Sequence, residues 1–182
     1  MNNRAEEDQL LMERTQSSDR QAFDEIVRRY QHRLQSYAAR MLLGDSSTAS
    51  DLAVEALVRL WERRHDYRHC DRLASWLYRT THRLILDELS RTRVQDSLDT
   101  NVPGHQNVQK LVEIGVQAQA ARGAVSQLSV PLRTVFILSV YQEMSYQEIA
   151  DALEISPGTV ASRKHEAVQM LRQNMSAWKE TQ

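Results

Sequence analysis

The sequence predicts an all-α protein made of two small helical domains joined by a flexible linker. Glycine and proline are scarce, with five and three among 182 residues, whereas residues that favour helices, such as Ala, Leu, Gln, Glu and Arg, recur throughout. Apolar residues recur at spacings of three and four, as expected for helices with one buried face. The polar segment from Val94 to Asn107 interrupts this pattern. The predicted division is therefore 1–93, 94–107 and 108–182.

The first predicted helix follows Ser17, Ser18 and Asp19, whose side chains can accept hydrogen bonds from free amides at a helix start. Its apolar face comprises Phe23, Ile26, Val27, Tyr30, Leu34, Tyr37, Ala38, Met41 and Leu42. The polar turn from Gly44 to Ser47 is expected to end this helix and to cap the next one. The two helices are therefore expected to pack as an antiparallel pair.

The second predicted helix has an apolar stripe that comprises Leu52, Ala53, Ala56, Leu57, Leu60 and Trp61. A polar loop from His65 to Arg72 separates it from a third helix, whose apolar face runs from Trp76 to Leu89. These three helices complete the first predicted domain. Beyond the linker, a further helix is predicted to begin near Val108.

The segment from Ser145 to Arg172 predicts a helix-turn-helix. Ser145 and Glu148 have the spacing of a capping box, in which each side chain bonds the other residue's backbone amide. Ser156 and Pro157 are typical of the start of a second helix. Two short helices joined by a tight turn form the architecture whose second helix enters the major groove of DNA. The alternative is a helical hairpin with an ordinary polar surface.

Local charge, rather than net charge, favours nucleic-acid binding by this chain. The formal net charge is −1, so no overall positive field attracts phosphate. The segment from Trp61 to Arg93 nevertheless contains eight arginines and five acids. We therefore expect a basic patch in the first domain.

The sequence predicts neither export nor membrane insertion. The segment from Met1 to Asp8 is polar and acid-rich, and the longest apolar run, Val135 to Leu138, is too short to span a bilayer. Because Cys70 is the single cysteine, the chain has no internal disulfide and suits a reducing compartment. We expect a cytoplasmic protein.

Three segments of the first domain resemble region 2 of the extracytoplasmic-function sigma factors, a subfamily of the sigma-70 family. These segments are Phe23 to Tyr30, Asp51 to Trp61 and Trp76 to Asp87. The segment from Leu128 to Arg172 resembles region 4 of the same subfamily. The resemblance implies a protein that binds core RNA polymerase and directs it to promoters. Region 2 would then open and read the minus-ten element, and region 4 would dock at the minus-thirty-five element.

The resemblance assigns three groups of candidate contact residues. The residues expected to meet core RNA polymerase are Asp51, Leu52, Glu55, Leu57, Leu60 and Trp61. The residues expected to bind minus-ten DNA are Tyr67, Arg68, Trp76, Arg79, Arg83, Asp87 and Arg91. The residues expected to bind minus-thirty-five DNA are Thr159, Ala161, Ser162, Arg163, Lys164, His165 and Glu166.

Several of these residues suit a hydrophobic core as well as a contact surface. Asp51 and Glu55 lie one helical turn apart and can meet basic partner groups together. Leu57, Leu60 and Trp61 of the same group are at least as well explained as core. Aromatic rings can hold unstacked bases, and the resemblance places Tyr67 where the family's loop captures a flipped base. Trp76 fits the apolar face of its helix and is better explained as structural.

Four residues at positions where the family contacts DNA depart from the family pattern. Arg83 stands where many members have an asparagine, so it can bind a phosphate or a guanine. Ser90 replaces a frequent arginine. Ala161 and Glu166 occupy recognition-helix positions that are often basic, and Glu166 can accept a hydrogen bond from a cytosine amino group. The target sequence is therefore expected to be unusual.

Two further departures concern the fold. Glu154 stands in the helix-turn-helix turn where glycine is common, so a left-handed backbone there would cost about 1 kcal/mol. Ser129 replaces a frequent proline, but its side chain can cap the helix that Pro131 enters. Neither change is expected to prevent folding.

A metal site or an enzyme is disfavoured by the residue pattern. His65, His69, Cys70 and Asp71 cluster in one loop, with His82 nearby. Structural zinc sites usually take paired ligands from two separated segments, and only one group is present. The sequence also shows no glycine-rich phosphate loop and no combination of nucleophile, base and orienting group. No metal, other cofactor or catalytic residue is expected.

Two competing functions would retain the helix-turn-helix. A transcriptional regulator that acts without polymerase would need a ligand pocket or a dimerisation helix in its first domain, in place of acids followed by arginines. A degenerate family member that binds partners but no longer opens DNA is suggested by Arg83, Ser90 and Glu166. The sequence leaves open whether an anti-sigma factor is also a partner.

Overall fold

The computed structural model describes residues 3–68, 72–98 and 123–180, and all regular structure in these ranges is helical. The helices of this described part are α1 (Asn3–Gln16), α2 (Arg20–Met41), α3 (Ser46–Glu62), α4 (Leu73–Leu98), α5 (Val130–Val140), α6 (Tyr146–Leu153) and α7 (Pro157–Glu180). A helical turn at 123–126 precedes α5. No helix in these ranges is long and apolar enough to cross a membrane. The helix predicted to begin near Val108 lies outside the described residues.

Two helices of the first domain begin at the predicted caps. The Asp19 carboxylate accepts a hydrogen bond from the Ala22 amide at 3.2 Å, and the Asp45 carboxylate accepts one from the Thr48 amide at 3.1 Å. Between α2 and α3, Gly44 has a φ of 109°, a conformation that residues with a Cβ atom rarely adopt. The predicted end of α2 and start of α3 are therefore confirmed.

Helix α1 is missing from the sequence-based prediction, which describes the start of the chain only as polar. The buried face of α1 consists of Asp8, Leu11, Met12 and Thr15. The Asp8 carboxylate accepts hydrogen bonds from the Tyr30 hydroxyl and, at 3.4 Å, from an arginine of α2. Because half of this buried face is polar, its spacing gives too weak an apolar signal to indicate a helix.

The predicted side-chain cap at Ser129 is wrong. Ser129 occupies the N-cap position of α5, but its hydroxyl makes no capping hydrogen bond. Packing stabilises this helix instead, because Leu132, Val135 and Leu138 are all buried.

The two predicted domains pack against each other. Helices α2 and α4 contact α5 and α6, and one hydrophobic cluster contains residues of both domains, among them Tyr37, Leu77, Val135 and Ile149. A smaller cluster joins α5 to α7. Helix α4 continues to Leu98, five residues beyond the predicted boundary at 93. The rest of the predicted linker lies outside the described residues.

A buried polar pair joins α2 to α4 beside the contact between the domains. The Tyr37 hydroxyl and Nδ1 of His82 are 2.8 Å apart and share a hydrogen bond. Burial lowers the pKa of His82 to about 4 and raises the pKa of Tyr37. His82 is therefore neutral in the folded protein at neutral pH.

The free energy of unfolding is expected to fall by about 3 kcal/mol between pH 7 and pH 4 because of His82 alone. The unfolded chain binds a proton at His82 near pH 6.5, whereas the folded protein resists protonation down to a pKa of about 4. The contribution of neutral His82 to the free energy of unfolding is therefore fully present above pH 6.5 and is lost as the pH falls towards 4. Urea unfolding of wild type and of His82→Gln at several pH values measures the difference. His65→Gln, at an exposed position, is the control. If the free energy of unfolding of His82→Gln depended on pH as steeply as that of wild type, the role of His82 would be contradicted.

Candidate nucleic-acid and polymerase interfaces

Helix α3 separates the predicted polymerase contacts into an outer and an inner face. Asp51 is exposed, and Glu55 is partly exposed and accepts a hydrogen bond from Arg59 at 2.8 Å. Leu57 and Leu60 are only 4% and 1% exposed. The acids are therefore available to a partner, whereas the two leucines pack in the core.

The remaining predicted polymerase contacts, Leu52 and Trp61, are partly buried. Trp61 packs against Phe23, with ring centroids 5.0 Å apart. Val54 and Val58, which are absent from the residues expected from the sequence, are 44% and 42% exposed beside the acids. Their spacing of four on the outer face is the sequence signal that could have identified them.

The aromatic residues predicted to bind minus-ten DNA are largely buried in this conformation. Tyr67 is 9% exposed and belongs to the hydrophobic core, and its carbonyl accepts a hydrogen bond from Gln16 at 2.8 Å. Trp76 is partly buried against the same core. A base can stack on Tyr67 only after the ring leaves this position, whereas Arg68 is already exposed.

The arginines of α4 fall into two groups. Arg79 donates a hydrogen bond to the carbonyl of Asp151, and Arg83 donates one to the Glu154 carboxylate at 2.8 Å. Farther along α4, Asp87 and Arg91 are exposed. Arg91 lies 3.6 Å from the carboxylate of Glu88. Part of the predicted basic patch is therefore hydrogen-bonded to the second domain.

Gln142 links both domains and was not identified from the sequence. Its side chain is 4% exposed, and its Oε1 atom accepts a hydrogen bond from the Tyr78 hydroxyl at 2.8 Å. Its carbonyl accepts one from Arg33 at 2.8 Å. Nearby, Ser75 donates to the carbonyl of Glu148 at 3.3 Å. Buried hydrogen bonds of this kind fix the position of one domain on the other.

The helix-turn-helix has the predicted capping geometry. The Ser145 hydroxyl accepts a hydrogen bond from the Glu148 amide at 3.2 Å, and the Glu148 carboxylate accepts one from the Ser145 amide at 2.8 Å. The Ser156 hydroxyl accepts one from the Thr159 amide at 3.0 Å, where α7 begins. Between the helices, Glu154 has a φ of 57°, so the left-handed backbone considered from the sequence is present.

The first turns of α7 present the predicted minus-thirty-five residues to solvent. Ser162, His165 and Glu166 are exposed, and Thr159, Ala161, Arg163 and Lys164 are partly exposed. The ammonium of Lys164 lies 5.1 Å from the ring centroid of Tyr146, and a ring nitrogen of His165 lies 2.8 Å from Nε2 of Gln169. Hydroxyl, imidazole, guanidinium and carboxylate groups on one surface can bond to phosphates and base edges.

The loop considered as a metal site lies partly outside the described residues, because His69, Cys70 and Asp71 are not described. Within the described ranges, no three His, Cys, Asp or Glu side chains are grouped so that they could hold a metal ion. His65 is exposed, and His82 is hydrogen-bonded to Tyr37.

Comparisons with known proteins identify two family models that match the chain and several similar proteins. Residues 26–94 match the family model of sigma-70 region 2, and residues 118–171 match that of sigma-70 region 4. The ECF RNA polymerase sigma factor SigL of Mycobacterium tuberculosis is 34% identical over 75% of this chain and 78% of its own length. The RNA polymerase sigma-H factor of Pseudomonas aeruginosa is 29% identical, covering 87% of this chain and 88% of its own.

A solved structure shares the fold. The sigma factor RpoE, in complex with the anti-sigma factor NepR from Bartonella quintana, superposes with a TM-score of 0.71 at 19% identity, over 85% of this chain and 96% of its own. The two region matches and the SigL identity establish the family. The chain belongs to the extracytoplasmic-function subfamily of sigma-70 factors, the alternative sigma subunits that bind core RNA polymerase and direct promoter-specific initiation of transcription.

Proposed function

We propose that this sigma factor has three binding surfaces, one for core RNA polymerase and one for each of the two promoter elements. Residues 1–93 act as region 2, in which α3 binds core RNA polymerase and α4 binds the opened minus-ten element. Residues 94–107 act as the linker. Residues 108–182 act as region 4, in which α7 reads the minus-thirty-five element.

The observation that carries this proposal is the combination of a capped helix-turn-helix with a separate acidic helix surface. The exposed start of α7 can enter a major groove, while Asp51 and Glu55 lie on α3 in the other domain. A regulator that works without polymerase has no use for the second surface. The two surfaces together therefore support a subunit that joins polymerase to DNA.

Within this proposal, the chain has no catalytic residue, metal or other cofactor and acts in the cytoplasm. It contributes binding energy and orientation, and the polymerase supplies the chemistry. We also propose an anti-sigma factor as a partner, because the similar RpoE structure contains one.

Transcription with purified components tests the function. The chain is added to core RNA polymerase with sheared DNA of its own genome, and the starts of the transcripts are mapped. Specific transcripts that depend on the chain are expected, with core enzyme alone as the control. Protection of DNA by the chain alone, without any specific transcript, would favour the regulator instead.

Glu166→Arg is expected to change the upstream sequence that the protein prefers. Glu166 is exposed on α7, where its carboxylate can accept from a cytosine amino group and an arginine would favour guanine. Selection from randomised minus-thirty-five sequences in the presence of polymerase measures the preference at each base. Gln173→Arg adds a positive charge farther along the same helix and is the control. A preference identical to wild type would remove Glu166 from the reading surface.

A further inference from the structure

Two residues that depart from the family pattern contact each other across the domains. Arg83 of α4 and Glu154, which follows α6, lie 71 positions apart in the sequence. Their side chains form an ion pair with Nη2 and Oε2 2.8 Å apart. A second arginine, Arg79, has its Nη1 atom 3.8 Å from the other oxygen of Glu154. One carboxylate therefore meets two cations of the opposite domain.

We propose that Glu154 is an autoinhibitory latch that, together with the apolar contact between the domains, holds region 4 over region 2 and competes with DNA for Arg79 and Arg83. The proposal rests on the minus-ten role proposed above for these arginines. In the latched state, region 2 is partly covered, whereas the exposed residues of α7 remain free to meet DNA.

The backbone of the turn places the Glu154 side chain where this contact can form. The residue ends α6 with a φ of 57° and a ψ of 41°, a left-handed conformation that favours glycine. A glycine would satisfy the backbone but would present no charge to α4. The backbone at Glu154 is therefore strained, whereas its side chain gains a contact with the other domain.

The end of α6 adds to the attraction for the arginines. Arg79 donates to the carbonyl of Asp151, in the last turn of α6, where unpaired carbonyl groups carry partial negative charge. The carboxylate of Glu154 lies at the same end. Positive groups on α4 thus meet a small negative surface on region 4.

The latch is weak enough to be displaced. The side chains of Arg83 and Glu154 are 63% and 57% exposed, so water and salt reduce their attraction. Nε of Arg79 is buried and has no hydrogen-bond partner within the described ranges. Each backbone phosphate carries its own negative charge and can accept from a guanidinium group. A nucleic-acid backbone can therefore offer a separate phosphate to Arg79 and to Arg83, whereas Glu154 offers one carboxylate to both.

Single-molecule energy transfer tests the latch without polymerase or promoter. Donor and acceptor dyes are attached at Gln31→Cys and Gln169→Cys, two exposed positions in different domains, in full-length Cys70→Ser protein. Glu154→Gln is expected to raise the ratio of open to closed molecules about fivefold at low salt. High salt is expected to abolish this difference from wild type.

Glu143→Gln is the matched control, because Glu143 is exposed, has a φ of 56° and forms no ion pair among the described residues. This variant is expected to keep the wild-type ratio. The exchange of charges in Arg83→Glu with Glu154→Arg is expected to restore part of the closure that Glu154→Arg alone removes, because Arg79 then still faces an arginine. Equal ratios in Glu154→Gln and Glu143→Gln, or no restoration by the exchange, would overturn the latch.

A binding measurement tests the competition with DNA. The same unlabelled variants are titrated with a fluorescent single-stranded DNA of mixed sequence. Glu154→Gln is expected to bind about fivefold more tightly than Glu143→Gln, because more molecules have the arginines of α4 free of a partner in the other domain. Opening without tighter binding would overturn the competition with DNA. That result would also contradict the minus-ten role of Arg79 and Arg83, whereas unchanged energy transfer would count against the latch alone.

Discussion

Reversal of the charges at Asp51 and Glu55 together is expected to weaken binding to core RNA polymerase by about 2–4 kcal/mol, or about 30- to 1,000-fold. Both acids lie on the outer face of α3, one helical turn apart. On the proposed polymerase role of α3, the double variant Asp51→Arg and Glu55→Arg turns two attractive contacts with a basic partner surface into repulsive ones. The loss is therefore larger than the loss of an ordinary exposed ion pair.

The fold is expected to survive this double change. The Glu55 side chain pairs only with Arg59 on its own helix in the described structure, and such pairs contribute a few tenths of a kcal/mol. Competition with a labelled sigma factor for core RNA polymerase, without DNA, measures the affinity. The double variant Asp24→Arg and Glu62→Arg changes two different acids outside this pair by the same total charge. Equal weakening in the two double variants would indicate a general charge effect and would contradict the α3 surface.

Helix positions in this protein are largely predictable from local sequence because their signals lie within a few residues. The capping box of Ser145 and Glu148 lies within a single helical turn and needs no tertiary partner. The cap at Asp45 is local in the same way. By contrast, half of the buried face of α1 is polar, and Asp8 on that face is hydrogen-bonded to Tyr30 of another helix. A polar residue that is buried by a distant partner gives no apolar periodicity.

The arrangement of the two domains is not predictable from local pattern. Arg83 and Glu154 each depart from the family pattern, but nothing within their own segments indicates that they pair. The sequence around Gln142 likewise gives no sign of its hydrogen bonds with Tyr78 and Arg33. Spacing within a helix identifies which face is buried, whereas it does not identify which other helix covers that face.

The leucines of α3 illustrate the same limit within a single helix. The resemblance assigns Leu57 and Leu60 to the polymerase surface, and their spacing fits a core stripe equally well. Their burial in the structure favours the core. Stability and polymerase binding should therefore respond differently to a change at either residue.

Leu60→Ala is expected to lower the free energy of unfolding by about 2–5 kcal/mol. The side chain is 1% exposed, so its removal loses buried apolar contact and leaves a cavity in a packed core. Urea unfolding measures the change, with Val58→Ala as the control on the same helix. Val58 is 42% exposed, so its truncation is expected to cost less than about 0.5 kcal/mol.

Polymerase binding distinguishes the core role of Leu60 from a contact role. At a temperature where Leu60→Ala is fully folded, its affinity for core RNA polymerase is expected to stay within about threefold of wild type, because a side chain buried in the sigma factor itself offers little surface to a partner. A loss of about 30-fold or more under those conditions would show that the leucine reaches the polymerase. Such a result would require α3 to rearrange on binding, because the core that holds Leu60 would have to open.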